Sequence, residues 1–189
     1  MQYRKISIYD FDHTLIFTGF KQDVRDYELR TGKKWTGNLK DFWETPQSLT
    51  LLPIKQNKYI VEKFLMDKKN KDICVIVMTG REETLREEVQ DILDMFNLKP
   101  NLLIMRPEEI QDILAYKKAM ILKLSKQTYN FDIYEDRNNH ADGFIKFGKE
   151  KKLKLNVIKV FNKDLLEKYP EYRKHCEYDY PNADDVCLK

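Results

Sequence analysis

Cysteine, glycine, proline and histidine are all scarce in this chain, and none of its apolar stretches is long. Three cysteines in 189 residues exclude a disulfide scaffold. Six glycines and six prolines exclude collagen-like and mucin-like classes. No apolar run approaches the roughly 18–20 residues that a membrane span requires, and the chain enters a strand-like segment at once, without signal-peptide organisation. An intracellular, cytoplasmic location is the expectation, with a nuclear one left open. One-sided charge is missing as well: 34 Lys+Arg against 31 Asp+Glu leave a net +3, too little to name a polyanionic partner. Zinc-ligand spacing is also absent, because Cys74 sits in an apolar run while Cys176, Cys187 and the nearby His175 are one ligand short of a site.

What is present is a foldable, highly charged chain. Hydrophobic residues make up 42%, aromatics 12% and charged residues 34%, so the charge decorates a core and does not signal disorder. One domain is expected over residues 1–163, with a small insert at about 15–53 and a polar, tyrosine-rich tail over 164–189. Locally, residues 146–163 hold seven lysines and one acid. That run reads either as a solvated helix and strand edge or as a footprint for a phosphate backbone.

Short apolar runs rich in β-branched residues predict strands at 6–9, 73–78, 102–105, 131–134 and 155–160. Helical patterns fall between them at 57–68, 82–95, 116–126 and 140–152. Alternation of this kind requires crossovers and predicts an α/β, doubly wound (Rossmann-like), mostly parallel five-stranded sheet with helices on both faces. The stretch from Leu15 to Pro53 interrupts the alternation. It carries Trp35 and Trp43 and is expected to form a small cap over the sheet edge, with helix around 21–30. Both tryptophans fit an insert core better than a base-stacking platform.

In open α/β sheets ligands bind beyond the carboxyl ends of the strands. Three such ends carry chemistry: Asp10-Phe11-Asp12-His13-Thr14, Thr79-Gly80-Arg81 and Glu135-Asp136-Arg137. Carboxylates converging on one rim repel, and a divalent cation relieves that repulsion. Hard oxygen ligands beside a phosphate suit Mg²⁺. Asp10 and Asp12, two apart, face the same side if the chain stays extended. Lys117 shares a helical stripe with Ile121 and Leu124 and is preferred over Lys118 as the cation that reaches the rim. Arg81 either binds phosphate or pairs with acids of residues 82–88 at the surface. His140 either contacts substrate or begins a helix, and Glu135-Asp136 either serve the site or cap that helix.

Asp10-Phe11-Asp12-His13-Thr14-Leu15, the Thr79 step, the helix-borne lysine and Glu135-Asp136 resemble the four motifs of the haloacid dehalogenase-like (HAD) phosphohydrolases. A closer resemblance rests on residues 10–18, on Phe42-Trp43-Glu44-Thr45-Pro46-Gln47-Ser48-Leu49, on Met78-Thr79-Gly80-Arg81 and on Tyr134-Glu135-Asp136-Arg137-Asn138-Asn139-His140. These look like the HAD domain associated with the Swiss Army Knife RNA repair proteins.

The resemblance implies a Mg²⁺-dependent phosphomonoesterase that forms an aspartyl-phosphate, with Asp10 as nucleophile and Asp12 as general acid and base. It implies Mg²⁺ held by Asp10, the Asp12 carbonyl and Asp136, with Glu135 nearby. Thr79 and Lys117 would bind phosphoryl oxygens, Thr14 would brace the loop, and Gly80, Arg81 and His140 would join the substrate contacts. For Asp12 to act as an acid, its surroundings must raise its pKa. A small cap implies a bulky substrate, so RNA or nucleotide ends are favoured over a small phosphorylated metabolite. A phosphate-binding module without turnover is the third reading, and no obligate protein partner is expected.

Overall fold

Residues 3–37 and 39–161 are described in the computed structural model, and the expected tail at 164–189 lies outside them. Five segments with near-continuous apolar character pair as parallel strands: β1 (Lys5–Tyr9), β4 (Ile73–Glu82), β5 (Leu102–Arg106), β6 (Asn130–Glu135) and β7 (Lys154–Lys159). Their order is β5-β4-β1-β6-β7, with β1 in the centre. Alternate side chains of each strand face opposite layers, and each layer is closed by two helices. Tyr9, Val75, Val77 and Leu103 pack under α3 (Lys58–Lys69) and α4 (Arg86–Met95). Ile6, Ile8, Ile76 and Phe131 pack under α5 (Ile113–Leu124) and α6 (Asn138–Lys151). This is the doubly wound α/β sheet that the alternation predicts.

Element boundaries differ from the periodicity in informative ways. The helix expected from residue 82 begins as strand, because Glu82 pairs with Arg106 across β4 and β5 and forms an ion pair of 2.8 Å with it. A single 3₁₀ turn, Glu83–Leu85, then leads into α4. Helix α5 starts three residues early, where the Asp112 carboxylate caps it by accepting a hydrogen bond from the Ala115 N–H at 2.9 Å.

The stretch between β1 and α3 carries a small core of its own. Its ends are tied by the two-residue antiparallel strands β2 (Ile16–Phe17) and β3 (Lys55–Gln56). Between them lie α1 (Val24–Thr31), a 3₁₀ segment at Leu39–Glu44 and the short α2 (Pro46–Leu49). Tyr27, Phe42 and Leu51 are buried together, with Val24, Trp35 and Trp43 packed against them. Trp35 stacks on Phe42, ring centroids 5.3 Å apart.

The lysine run follows α6 into β7, the edge strand. Because β7 is parallel to β6 and Lys154 pairs with Asn130, residues 149–154 lie at the end of the sheet opposite the carboxyl rim. Lys159 pairs with Asp142 at 2.8 Å. The run is a solvated edge that does not converge on the acids, and Lys163 lies outside the described residues.

Candidate active site

Asp10 follows β1 directly and extends its ladder, its N–H donating to the Tyr134 carbonyl at 3.0 Å. Beyond it the chain curls. The Leu15 and Ile16 N–H groups both return to the Phe11 carbonyl, and His13 takes a left-handed φ of 58°. The extended geometry expected for Asp10 and Asp12 is therefore not kept past Phe11, and the two carboxylates engage different cations.

Lys117 reaches Asp10 from α5. Its stripe-mates Ile121 and Leu124 are buried against the sheet, which carries the ammonium down to the rim. The Nζ donates to Asp10 Oδ1 at 2.6 Å and to Glu135 Oε2 at 2.8 Å. Lys118 is only half-buried, so of the pair it is Lys117 that reaches the acids at the rim. Asp10, Glu135 and Asp136 are all buried and bring carboxylate oxygens within 4.8 Å of one another.

Burial and crowding set their charges. Burial pushes Asp10 up to about 7, with Lys117 pulling against it. Burial, then Glu135 and Asp10, drive Asp136 well above the carboxylate range. Burial works against ionised Glu135 too, yet Lys117 and His140 override it and hold the carboxyl below its usual range. Lys117 stays protonated because Asp10 and Glu135 outweigh its desolvation. One ammonium is thus shared among three acids, and the oxygens of Asp10 and Asp136 form a set of hard donors short of positive charge. That deficit suits a divalent cation.

Asp12 is held otherwise. Arg81 Nε donates to its Oδ2 at 3.0 Å and Nη2 to its Oδ1 at 2.8 Å, and the Thr18 hydroxyl adds a third hydrogen bond at 2.7 Å. Burial alone would raise Asp12, but the guanidinium brings it down to about 2. The raised pKa that an acid role needs is absent while Arg81 is in place. Arg81 itself is neither at the surface nor paired with residues 82–88. It is buried, its Nη1 donates to the Trp43 carbonyl and to Ser48 Oγ, and its Cζ lies 4.8 Å from the Trp43 ring centroid. The loop after β1, the sheet and the insert meet on this one side chain. Arg106 makes a second tie, donating to the Gly80 and Ile110 carbonyls and pairing with Glu44 of the insert at 3.2 Å.

The resulting cleft has a volume of about 560 Å³, and Asp10, Asp12, Gly80, Arg81, Lys117, Asp136 and His140 all line it. Thr79 does not. It is wholly buried, and its hydroxyl accepts the Arg81 N–H at 3.0 Å within β4, where the register with β5 shifts between Met78 and Glu82. Thr14 is also buried away from the cleft, and its hydroxyl has no hydrogen-bond partner among the described residues, so it does not brace the loop through that group. Glu135 lies behind the lining, with His140 Nδ1 3.6 Å from its Oε1. Both tryptophans pack on the insert core, and Trp43 also forms part of the cleft wall beside Phe20, which stacks on His13 at 4.3 Å.

Sequence reasoning gave Arg106 no role, named Arg137 only as part of a strand end and preferred the insert core for Trp43, yet all three line the cleft. Arg106 and Arg137 each close or follow a strand at its carboxyl end, and that position was the available signal.

Several comparisons bear on this arrangement. The model of a family described as HAD domain family 1 in Swiss Army Knife RNA repair proteins matches residues 43–180, leaving Asp10 and Asp12 outside the matched span. Among solved structures, one described as the Pnkp1/Rnl/Hen1 complex is 21% identical with a TM-score of 0.57, covering 84% of this chain and 45% of that one. The HAD domain of effector protein Lem4 from Legionella pneumophila is 11% identical with a TM-score of 0.53, covering 93% and 97%. At these identities the likeness is one of fold, and the chain spans less than half the length of the first neighbour. No curated protein matches the chain. Among the described residues no helix is long and apolar enough to cross a membrane.

Proposed function

The chain belongs to HAD domain family 1 in Swiss Army Knife RNA repair proteins, and on that premise we propose that it is a Mg²⁺-dependent phosphomonoesterase acting on phosphorylated RNA or nucleotide ends. The observation that carries this reading is the buried trio Asp10, Glu135 and Asp136 at the carboxyl rim, with Lys117 bonded to two of them. Asp10, Asp136 and the Asp12 carbonyl would hold the ion, while Glu135 is already engaged by Lys117. When bound, the ion supplies positive charge against the phosphoryl oxygens and favours ionised Asp10 near neutral pH.

In this reading an Asp10 carboxylate oxygen attacks phosphorus. The bond from phosphorus to the ester oxygen breaks, and an aspartyl-phosphate forms that water then hydrolyses. Lys117, Gly80, Arg81 and His140 line the space that the phosphoryl oxygens would occupy. Asp12 is ionised under Arg81, and taking the proton of the attacking water requires an oxygen released from that clamp. Protonating the leaving alkoxide in the first step requires the Arg81 clamp to loosen as substrate binds. The RNA-end substrate class is supported by the family description and by the neighbour described as an RNA repair complex.

The test is hydrolysis of an aryl phosphate with and without Mg²⁺ by the wild type and by Asp10→Asn. Metal-dependent turnover that the variant loses is expected, and turnover indifferent to the substitution would remove Asp10 as nucleophile. Oligonucleotides bearing 3′- or 5′-phosphates should then exceed sugar phosphates in kcat/KM. A tenfold preference for sugars would defeat the end-processing assignment.

A further inference from the structure

We propose that Arg137 is a phosphate-binding arginine of this cleft, holding a phosphate group of the substrate beside Asp10. The proposal rests on the phosphomonoesterase reading and adds a residue to it. It begins from an inventory of the cations that line the cleft. Lys117 gives its ammonium to Asp10 and Glu135. Arg81 directs Nε, Nη1 and Nη2 to Asp12, Trp43 and Ser48. Arg106 directs its donors to Gly80, Ile110, Glu44 and Glu82. Lys21 is exposed on the rim.

Arg137 is different. It is half-buried in the cleft wall, and among the described residues its guanidinium makes no hydrogen bond or ion pair; its backbone N–H donates to Glu135 Oε1 at 3.4 Å and its carbonyl accepts from the Ala141 N–H at 2.9 Å. Its side chain nevertheless lies in the field of the site acids, interacting with Asp136, Glu135, Asp10 and Asp12 in that order of strength. A guanidinium presents five donors in a planar fork, and leaving them unmatched while partly desolvated is unfavourable. A phosphate, with several oxygens and negative charge, matches that fork bidentately.

A second feature points the same way. Arg137 is the N-cap residue of α6, a helix of 14 residues that begins without a side-chain cap and without an acid in its first turn. The positive end of the α6 dipole therefore lies beside the guanidinium, and Asn139 and His140 of that first turn line the same cleft. Asp136 and Arg137, the two residues that follow β6, would thus divide the tasks, the carboxylate serving the cation and Arg137 the anion.

Two phosphates could fill the fork: the reacting phosphoryl group, or the neighbouring phosphodiester of an oligonucleotide. Arg137→Ala and Arg137→Lys should be compared with wild type in three assays. The first is titration with inorganic phosphate by calorimetry, with and without Mg²⁺. The others are steady-state kinetics on an aryl phosphate and on an oligonucleotide 3′-phosphate. Arg137→Ala is expected to weaken phosphate binding or raise KM at least tenfold, with a smaller change in kcat, and Arg137→Lys to recover part of the loss. Equal losses on both substrates assign the fork to the reacting group, and a loss confined to the oligonucleotide assigns it to the flanking phosphodiester. Changes under twofold in all three assays overturn the proposal. The phosphate titration decides it even if no substrate is turned over, which separates its failure from failure of the enzymatic reading. The lysine variant keeps the charge beside the carboxylates should the alanine variant fold poorly.

Discussion

Arg81 grips Asp12 through two parallel hydrogen bonds, Nε to Oδ2 at 3.0 Å and Nη2 to Oδ1 at 2.8 Å, from the middle of the interface between sheet and insert. The residue that keeps Asp12 ionised is therefore the same one that fastens the insert, through the Trp43 carbonyl and Ser48. Charge state and cap position are coupled by a single guanidinium.

Removing that guanidinium has a pH signature. Asp12 is depressed to about 2 from an ordinary value near 3.8, so the folded state holds its proton less tightly than the unfolded chain. The stabilisation is fully present above pH about 4 and disappears as pH falls through about 2, amounting to about 2–3 kcal/mol. In Arg81→Gln, urea unfolding at pH 6 should show a loss of at least this size. The difference from wild type should shrink as the pH is lowered through that window.

Metal addition should act with the opposite sign. Asp10 is raised to about 7 by burial, and Asp136 is raised as well. Without a cation the folded state binds these protons more tightly than the unfolded chain, so stability falls as pH rises from about 4 towards 7. Mg²⁺ should therefore raise the melting temperature more at pH 8 than at pH 5, and at a hundredfold excess over its Kd at pH 8 it should add about 2.7 kcal/mol of stability there. Asp10→Asn and Asp136→Asn should abolish the pH-dependent part, as differential scanning fluorimetry can read.

Two adjacent lysines should behave very differently. Lys117→Met leaves Asp10 and Glu135 buried without their shared partner and should cost about 3–5 kcal/mol. Lys118→Ala should stay within about 0.5 kcal/mol of wild type. Adding Glu135→Gln to Lys117→Met should restore part of the loss, and denaturant melts of the two single variants and the double mutant measure it.

Gly80 allows close contact between β4 and α5. A methyl group there would come within 3.0 Å of Ile113 Cδ1 and Cγ2, overpacking the cleft wall. Gly80→Ala should destabilise by about 1–3 kcal/mol. Ile113→Val should recover part of that loss in the double mutant, whereas in the wild-type background it should only destabilise.

The layer architecture was legible from one dimension because periodicity and burial are local: runs such as Ile73–Met78 have the composition of strands covered on both faces. The stripe Lys117, Ile121 and Leu124 belongs to the same kind of information, since 3.6 residues per turn determine which lysine points at the sheet. Glu82 escaped this reasoning because its strand character comes from Arg106, 24 residues away. Thr79 looked like a phosphate contact for its place after a strand, yet β4 runs on through it and its hydroxyl accepts the Arg81 N–H at the register shift of that strand. Trp43 could be assigned to the cleft wall only once the insert was folded back over the sheet.

Residue type and order alone were sufficient to place acids at the ends of β1 and β6 and a cation on α5, because parallel strands all deliver their carboxyl ends to one edge. Which cation meets which acid was decided in three dimensions. Arg81 to Asp12, Lys117 to Asp10 and Glu135, and Arg137 with its donors open to the cleft are outcomes of side-chain reach and competing burial. Coulomb interactions fall off with distance in space and not with separation along the chain, so no pattern in the chain itself could have settled them.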